Sequence, residues 1–312
     1  MKLRHLRYFV KIVEAGSFSR AAANIHIAQP ALSQQIAELE EKVGATLLLR
    51  SARGVRPTPE GETLYREALA ILRQMEQLPG IVRSTGGPPE GPVTLGMSST
   101  HAAHYSAPFL RRCRSELPKV SLRLITGDSL LLQSQLVANT LDIALVFDDE
   151  ALAAFARRPL FRQQLYLMRT QPFPDGVDTV SLQDVAAMPL VMPTRPNVMR
   201  ARLDQGFAAA GLTPNVVVEA NVLSAMVSAV EEGLGAMIIP QAELTDVSGR
   251  RALAVAAITP PIHLVASVVT SSVAPLTRAG QAVRTLLADF VAERLRESPP
   301  PGTEWIDDED GA

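Results

Sequence analysis

A short segment near the start of the chain alternates polar side chains with regularly spaced apolar ones. Its polar side chains include Gln29, Ser33 and Gln34, and Pro30 stands in the first turn. Its apolar side chains are Leu32, Ile36, Leu39 and Val43. This spacing predicts a helix with one buried face. A glutamine amide can form two hydrogen bonds with adenine and a serine hydroxyl tolerates several bases, so the exposed face suits reading the major groove of DNA.

Three arginines follow this helix in a predicted hairpin. Arg50, Arg53 and Arg56 lie in or between two strand-like runs, 46–50 and 55–57, which a turn at 51–54 can join. Guanidinium groups on such a wing can bind backbone phosphate or enter the minor groove. The alternative is a solvated basic loop, because this chain uses arginine widely. The DNA interpretation therefore depends on the helices that precede the wing.

The helices that must position these side chains are also marked in the sequence. A helical apolar pattern covers 3–15 and ends at Gly16. Ser17 or Ser19 can cap a second, alanine-rich helix at 20–26. The third helix begins after residue 28 and ends at Gly44. Three helices followed by a hairpin predict a winged helix-turn-helix over residues 1–57.

A fourth helical pattern runs from Thr58, which can cap it, to about residue 82. Its apolar stripe is spaced four, three, four and three residues apart, as in a coiled coil. The stripe consists of Leu64, Ala68, Ile71, Met75 and Leu78. We therefore predict a linker and dimerisation helix over 58–83. Packing of the stripe on its own domain is the alternative.

The rest of the chain has the pattern of an α/β domain. Residues 84–92 are rich in glycine and proline and predict a hinge linker. Beyond them, strand patterns alternate with helical ones, which predicts mainly parallel sheets. Predicted strands cover 93–97, 120–125, 142–147, 164–168, 189–192, 216–219, 236–239 and 263–269, and predicted helices cover 105–117, 130–139, 199–210, 222–232 and 276–296. The last segment, 298–312, holds three consecutive prolines and five acids and is predicted to be disordered.

Composition and charge narrow the class of protein. The chain has 312 residues, 47% hydrophobic and 20% charged, which is typical of a globular protein of two or three domains. Residues 1–83 carry 12 Lys and Arg against 8 Asp and Glu, a net charge of +4, whereas residues 84–312 have a net charge of −6. The first part is thus the one that suits a polyanion. The single cysteine, Cys113, excludes an internal disulfide and fits a cytoplasmic protein.

Neither a targeting segment nor an enzyme site stands out. The N-terminus lacks the apolar segment of a signal peptide, and the best candidate for a membrane span, 222–240, contains Glu231 and Glu232. His101 and His104 have no Cys or His partners at metal spacing, so we interpret them as surface or helix-start histidines. The Gly-x-Gly at Gly233 lacks the third glycine of a dinucleotide site. We expect no enzymatic activity, no cofactor and no metal.

The N-terminal residues resemble the signature of LysR-type transcriptional regulators. The matching segments are RYFVKIVEAGSFSRAA from Arg7, QPALSQQI from Gln29, LEE from Leu39, RG from Arg53 and TPEG from Thr58. The segment IAQPALSQQ is similar to the nitrogen assimilation control subgroup of that family. One position departs from the pattern. The family often has serine where this chain has Ala28, and loss of such a cap costs about 1 kcal/mol of helix stability.

The resemblance implies that residues 91–297 form an effector-binding domain of two lobes, similar to periplasmic solute-binding proteins. Lobe I would comprise 91–162 and 266–297, and lobe II 163–265; GLGAMIIP from Gly233 looks like a strand of that domain. Ligands of open α/β sheets bind beyond the carboxyl ends of the strands. The candidate effector contacts there are Ser98, Ser99, Thr100, Thr126, Ser129, Phe147, Thr194, Arg195 and Asn221. Hydroxyls near helix starts, together with one arginine, suit an anion.

These expectations combine into one function and one alternative. We predict a cytoplasmic, nucleoid-associated homodimer or homotetramer that binds palindromic promoter DNA, activates or represses transcription, and is gated by a small-molecule effector. RNA polymerase is an expected further partner, and a membrane is not. The alternative is a cytoplasmic solute-binding sensor whose N-terminal region serves oligomerisation rather than DNA binding.

Overall fold

The computed structural model describes residues 1–51, 54–82, 87–147, 155–240 and 253–306. The chain divides into two compact units, one containing Met1–Thr85 and the other containing Gly86–Val137 and Leu141–Ala312. Each unit has its own apolar core. Phe9 and Ile36 are fully buried in the first, and Phe109 and Phe161 are buried in the second. None of the helices in the described residues is long and apolar enough to cross a membrane.

The first unit consists of three short helices, a two-stranded hairpin and one long helix. Its elements are α1 (Leu3–Ala15), α2 (Phe18–Asn24), α3 (Gln29–Val43), β1 (Leu48–Ser51), β2 (Gly54–Pro57) and α4 (Pro59–Val82). Gly16 ends α1 in the left-handed conformation, with a φ of 60°. The Ser17 hydroxyl accepts a hydrogen bond from the Arg20 amide and so caps α2. This order is the predicted winged helix-turn-helix followed by a long helix.

The hairpin is fixed to the helices by short contacts. The Glu40 carboxylate on α3 accepts hydrogen bonds from the Leu47 and Leu48 amides, at 2.7 and 3.2 Å. The Val55 amide donates to the carbonyl of the glycine that ends α1, at 2.9 Å. A Cβ at Gly54 would lie 2.7 Å from that same oxygen, and Gly54 has a φ of 121°, so a side chain is excluded there. The wing therefore has a defined position beside α3.

The second unit is built from eleven strands and six helices in the described residues. They are β3 (Gly91–Ser98), α5 (Ser99–Glu116), β4 (Val120–Gly127), α6 (Ser129–Val137), β5 (Ile143–Phe147), β6 (Phe155–Arg169), β7 (Thr179–Ser181), α7 (Leu182–Ala187), β8 (Leu190–Pro193), α8 (Val198–Ala209), β9 (Val216–Ala220), α9 (Leu223–Glu231), β10 (Ala236–Pro240), β11 (Ala254–Thr259), β12 (His263–Ser271), α10 (Arg278–Glu297) and β13 (Thr303–Trp305). Their alternation confirms the predicted α/β class.

The sheet topology divides this unit into two lobes. The strand order is β4-β3-β5-β12-β6-β10-β8-β9. Strand β3 pairs in parallel with β4 and β5, and β8 pairs in parallel with β9 and β10. The long strand β6 is antiparallel to β12 up to Gln164 and to β10 from Leu165 onward. Each lobe is therefore a parallel α/β core, and β6 crosses from one lobe to the other.

The structure differs from the sequence-based expectations in three places. Helix α5 starts at Ser99 rather than at residue 105, because Ser98 caps it. Strand β6 extends far beyond the predicted 164–168, and β7, α7 and β11 were not predicted. The segment 298–312 was predicted to be disordered, but Thr303–Trp305 forms β13, antiparallel to β6, and Trp305 packs on the core. Residues 307–312 of that segment lie outside the described residues.

Candidate nucleic-acid interface and ligand site

The exposed face of α3 carries the side chains that were predicted to read bases. Gln29, Pro30 and Gln34 are exposed, and Ser33 is half-buried. The opposite face, with Leu32, Ile36 and Leu39, is fully buried. Ala28 occupies the N-cap position in an extended conformation, and no side chain caps the helix there. The helix therefore presents amides to solvent on a rigid apolar base, which suits the edge of a base pair.

The wing arginines differ in their surroundings. Arg56 is exposed on β2, opposite Leu49 of β1. Arg50 is also exposed, but its Nη1 donates a hydrogen bond to Ser33 Oγ at 3.0 Å, and its guanidinium lies 4.3 Å from the centre of the Phe18 ring. The structure thus brings two predicted residues together and adds an aromatic partner. Arg53 lies outside the described residues.

A buried histidine supports the same unit from within. His5 of α1 is fully buried, and its Nε2 lies 3.9 Å from a carboxylate oxygen of Glu38 on α3. Burial lowers the pKa of His5, and the nearby charges of Lys42 and Arg4 lower it further, while Glu38 acts in the opposite direction. His5 therefore adds no positive charge to the first unit at neutral pH.

The apolar stripe of α4 is divided between two environments. Ala68 is fully buried against Leu6 and Val10 of α1, and Leu64 packs on the same cluster. The later members of the stripe face solvent, with exposed fractions of 38% for Ile71, 40% for Met75 and 46% for Leu78. The first half of the stripe thus packs on its own domain, which was the alternative interpretation, and the second half is left for another surface.

In lobe I, the predicted contacts cluster where β3 ends and α5 begins. Ser98 is buried, and its Oγ accepts a hydrogen bond from the His101 amide at 3.4 Å and lies 2.8 Å from His101 Nδ1. Ser99 is exposed and Thr100 is half-buried. Near the ends of β4 and β5, Thr126 is exposed and Phe147 is buried, and Ser129, the first residue of α6, is buried.

His101 was interpreted from the sequence as a surface or helix-start histidine, and the structure shows the second of these. It lies in the first turn of α5, but it is buried rather than on the surface. Its ring centre lies 4.4 Å from that of Phe147 and 5.9 Å from that of Phe161. The pKa of His101 is lowered to about 3, mainly by burial; the Leu145 main chain acts in the opposite direction, and nearby His104 adds to the lowering. The imidazole is therefore neutral at physiological pH.

In lobe II, Arg195 is already engaged. Its Nε and Nη2 lie 2.9 and 2.8 Å from Oδ2 of Asp204, although 65% of the side chain is exposed. The other oxygen of Asp204 accepts a hydrogen bond from Arg200 Nε at 2.9 Å. Arg200 is buried and also donates to Glu219 and to the Pro193 carbonyl. Asp204 thus joins two guanidinium groups, and an anion at Arg195 would compete with it.

Comparison with known proteins identifies the family. Residues 3–62 match the family model described as a bacterial regulatory helix-turn-helix protein of the lysR family, and residues 86–292 match the LysR substrate binding domain. The chain belongs to the LysR family of bacterial transcriptional regulators. It is 36% identical over 300 residues to the nitrogen assimilation regulatory protein nac of Klebsiella aerogenes, covering 96% of this chain and 98% of that protein.

Solved structures of LysR-type regulators have the same fold. A full-length OxyR variant from Pseudomonas aeruginosa superposes with a TM-score of 0.71 at 20% identity, covering 98% of this chain and 99% of that one. Full-length CbnR, solved in complex with its target DNA, gives a TM-score of 0.69 at 22% identity, covering 96% of this chain and 100% of that one. At these identities the likeness establishes the fold alone.

For this LysR-family regulator, the predicted effector contacts rest on their position near strand ends. Two surface cavities of about 380 and 460 Å³ are lined by α5, α10 and β4, and neither includes a predicted effector contact. Within the described ranges, no group of three His, Cys, Asp or Glu side chains is placed to hold a metal ion. Phe18 was not among the predicted site residues, because its contact with Arg50 joins positions far apart in the sequence.

Proposed function

We propose that this LysR-family regulator reads palindromic promoter sites with the exposed face of α3 and the wing. The proposed DNA contacts are Gln29, Pro30, Ser33, Gln34, Arg50, Arg53 and Arg56. The observation that carries the proposal is the exposed polar face of α3, held on a fully buried apolar face. Amides on a fixed helix suit base edges, and arginines on the wing suit phosphate.

The proposed regulator is a homodimer that pairs into a homotetramer. The exposed half of the α4 stripe supports this, because Ile71, Met75, Leu78 and Val82 repeat every three or four residues on one helix face and are exposed. A two-fold dimer presents two recognition helices to two half-sites, which is why the operator should be a palindrome. RNA polymerase is the further partner we propose for its action as activator or repressor.

We also propose that a small molecule binds between the two lobes and gates DNA binding, and that the site favours an anion. The candidate contacts are Ser98, Ser99, Thr100, Thr126, Ser129, Phe147, Thr194, Arg195 and Asn221. Helix α5 is 18 residues long, and its exposed first residue, Ser99, offers a hydroxyl where the helix dipole is positive. Closure of the lobes around the ligand would shift the population of DNA-binding states.

These roles imply a division of the chain. We assign 1–57 to DNA binding, 58–83 to dimerisation, 84–92 to a hinge linker and 91–297 to effector binding, with the acidic residues that follow β13 as a tail. Lobe I comprises 91–162 and 266–297, and lobe II comprises 163–265. We place the protein in the cytoplasm and propose no catalytic activity and no cofactor for it.

DNA binding is tested by removing one wing charge. Arg56→Ala should weaken binding to a promoter duplex about tenfold and reduce the slope of log K against log salt by about one, because one phosphate contact is lost. Arg123→Ala removes the same charge from an exposed site on β4 and is the matched control. Equal curves for the two variants would instead favour a solute-binding sensor that does not use the wing for DNA.

Effector binding is tested separately by calorimetry. Titration of the full chain with a panel of dicarboxylates, amino acids and uncharged amides should give heat for one class of compound. Thr100→Val and Arg195→Ala should abolish that heat. The absence of heat from every compound would contradict gating by a small molecule and would leave the DNA-binding proposal intact.

A further inference from the structure

Arg50 lies between an aromatic ring and a hydroxyl, each on a different helix. Its guanidinium carbon is 4.3 Å from the centre of the Phe18 ring, at the start of α2. Its Nη1 is 3.0 Å from Ser33 Oγ on α3. Its main chain is fixed in the wing, where Arg50 pairs with Val55. One arginine thus joins the wing to both helices of the helix-turn-helix.

We propose that Phe18 and Ser33 are positioning residues that hold the Arg50 guanidinium at a fixed point beside the recognition helix. Arg50 then acts as a specificity-determining contact at the protein–DNA interface. This narrows the role proposed above for Ser33, which takes part in DNA binding through the Arg50 side chain that it orients rather than by reading a base itself. The inference rests on the proposed DNA binding by α3 and the wing, and it assigns a role to Phe18 that no motif indicated.

The Phe18 ring is suited to be a platform because it cannot move. It is only 7% exposed and belongs to the core cluster of the first unit, together with Leu32 and Ile36 of α3. The Ser17 cap fixes the backbone immediately before it. A cation over an aromatic face is attracted by the ring quadrupole, and the planar guanidinium of arginine stacks there better than an ammonium does.

Ser33 fixes the orientation of the Arg50 guanidinium within its plane, which stacking on Phe18 alone does not do. A stacked guanidinium can rotate in its plane, but a hydrogen bond from Nη1 to Ser33 fixes that rotation and aims the other N–H groups. An arginine that is already ordered loses less side-chain entropy when it binds DNA. A fixed fork of donors can also discriminate between base edges, whereas a mobile cation contacts phosphate without regard to sequence.

Arg56 provides the contrast within the same wing. It is exposed on β2, and its side chain makes no hydrogen bond, ion pair or ring contact with the described residues. Arg56 therefore has the properties of a mobile phosphate-binding charge. The two arginines should respond differently to the same change in Phe18.

The test is a double-mutant cycle on DNA binding by the full chain. The probes are a duplex recovered by selection with the wild-type protein from a random library and a scrambled duplex of the same length. Arg50→Ala should weaken binding to the selected duplex about tenfold. Phe18→Leu and Ser33→Ala should each weaken it about threefold without changing the salt slope, because the arginine charge remains. Binding to the scrambled duplex should be unaffected by Phe18→Leu and Ser33→Ala.

The energetic coupling between substitutions decides whether Phe18 and Ser33 act through Arg50. In an Arg50→Ala background, Phe18→Leu and Ser33→Ala should have no further effect, whereas in an Arg56→Ala background their effects should add. Phe18→Tyr, which keeps the ring, should bind as the wild type does. Additive effects with Arg50→Ala, or equal losses on both duplexes, would overturn the proposal.

Three further outcomes can be distinguished from a failure of coupling. If Phe18→Leu lowers the melting temperature enough to unfold the first unit, the surface variant Ser33→Ala completes the cycle and decides the question. If neither Arg50→Ala nor Arg56→Ala changes binding, the proposed use of the wing for DNA fails, and the positioning role of Phe18 and Ser33 fails with it. If both arginine variants bind weakly while Ser33→Ala binds normally, only the positioning role fails.

Discussion

The two units use their polar side chains in opposite ways. In the first unit, Gln29, Gln34 and Arg56 are exposed above a buried apolar face. In the second unit, Ser98 is buried as the cap of α5, and Arg195 is paired with Asp204. The Arg56 side chain is thus free for a partner in one unit, whereas the Arg195 side chain is engaged within the other.

The difference follows from the kind of partner each unit would bind. A DNA duplex approaches from outside, so its contacts have to stand on an exposed surface that is rigid before binding. A small ligand enters a site whose polar groups already satisfy one another, because buried polar groups without partners are costly. Ligand binding in the second unit therefore has to exchange contacts, as at Arg195 and Asp204, whereas DNA binding in the first unit mainly adds them.

The largest expected effect concerns α4, where the first unit exposes an apolar stripe rather than polar side chains. Charging two members of the exposed stripe, in the double variant Ile71→Asp and Leu78→Asp, should give monomers. DNA affinity should fall about hundredfold, because two linked half-site contacts become independent. Light scattering measures the mass, and fluorescence anisotropy measures the binding.

The matched control is Gln74→Asp, which adds a charge to an exposed position of α4 outside the stripe. It should leave mass and affinity unchanged. An unaltered mass for the double variant would show that the stripe does not hold the oligomer together. Leu64→Asp is not a suitable substitute, since Leu64 packs on the cluster of Leu6 and Val10 and the variant would unfold the first unit.

A second prediction distinguishes a buried arginine that stabilises the second unit, Arg200, from an exposed one, Arg195. Arg200 is buried and bound to Asp204, Glu219 and the Pro193 carbonyl. Arg200→Met should lower the free energy of unfolding by about 2 kcal/mol, because the buried Pro193 carbonyl and the half-buried Asp204 lose a charged donor. Arg195→Ala, at an exposed pair with the same aspartate, should cost less than about 1 kcal/mol. Urea denaturation of both variants measures the difference, and equal losses would remove the distinction between the two arginines.

A third prediction concerns pH and His101. The folded protein holds this pKa at about 3, and the ordinary value is 6.5. Between these values the unfolded chain binds a proton that the folded chain does not, so this contribution to stability is fully present above pH 6.5 and is lost as the pH falls toward 3. From pH 7 to pH 5 the wild type should lose about 2 kcal/mol more than His101→Asn. Parallel pH profiles from urea denaturation would contradict the buried, neutral histidine.

The smallest expected effect lies at the uncapped start of α3. Ala28 is exposed and extended at the N-cap position, so Ala28→Ser can accept a hydrogen bond from the first turn without a clash. The free energy of unfolding of the first unit should rise by about 1 kcal/mol. Ser17→Ala, at the capped start of α2, should lower it by a similar amount. Thermal unfolding followed by circular dichroism measures both, and a destabilised Ala28→Ser would show that the cap position is strained.

Local patterns were enough to predict most of the first unit. Gly16, Gly44 and Ser17 mark helix ends through their own backbone or side-chain chemistry, and the spacing of Leu32, Ile36 and Leu39 identifies a buried face from one segment alone. Such signals act within a few residues, which is why the predicted winged helix-turn-helix was confirmed.

What the sequence did not predict depends on partners far apart in the chain. The contact of Arg50 with Phe18 spans the whole of α3, and the pairing of β13 with β6 joins Trp305 to Phe161. The burial of His101 depends on Phe147 and Phe161, which come from two other strands. No local spacing specifies these contacts, so the tail was predicted to be disordered, and the sequence indicated the helix start at His101 but not its burial.

The most direct test of the account is to ask whether α3 reads a base sequence. Duplexes selected from a random library by the wild type and by Gln34→Ala are sequenced and compared, with Gln74→Ala as the control for an exposed glutamine on another helix. The account predicts that Gln34→Ala relaxes the base preference at one position in each of two symmetric half-sites and leaves the others unchanged. Identical preferences for Gln34→Ala and the wild type would contradict it.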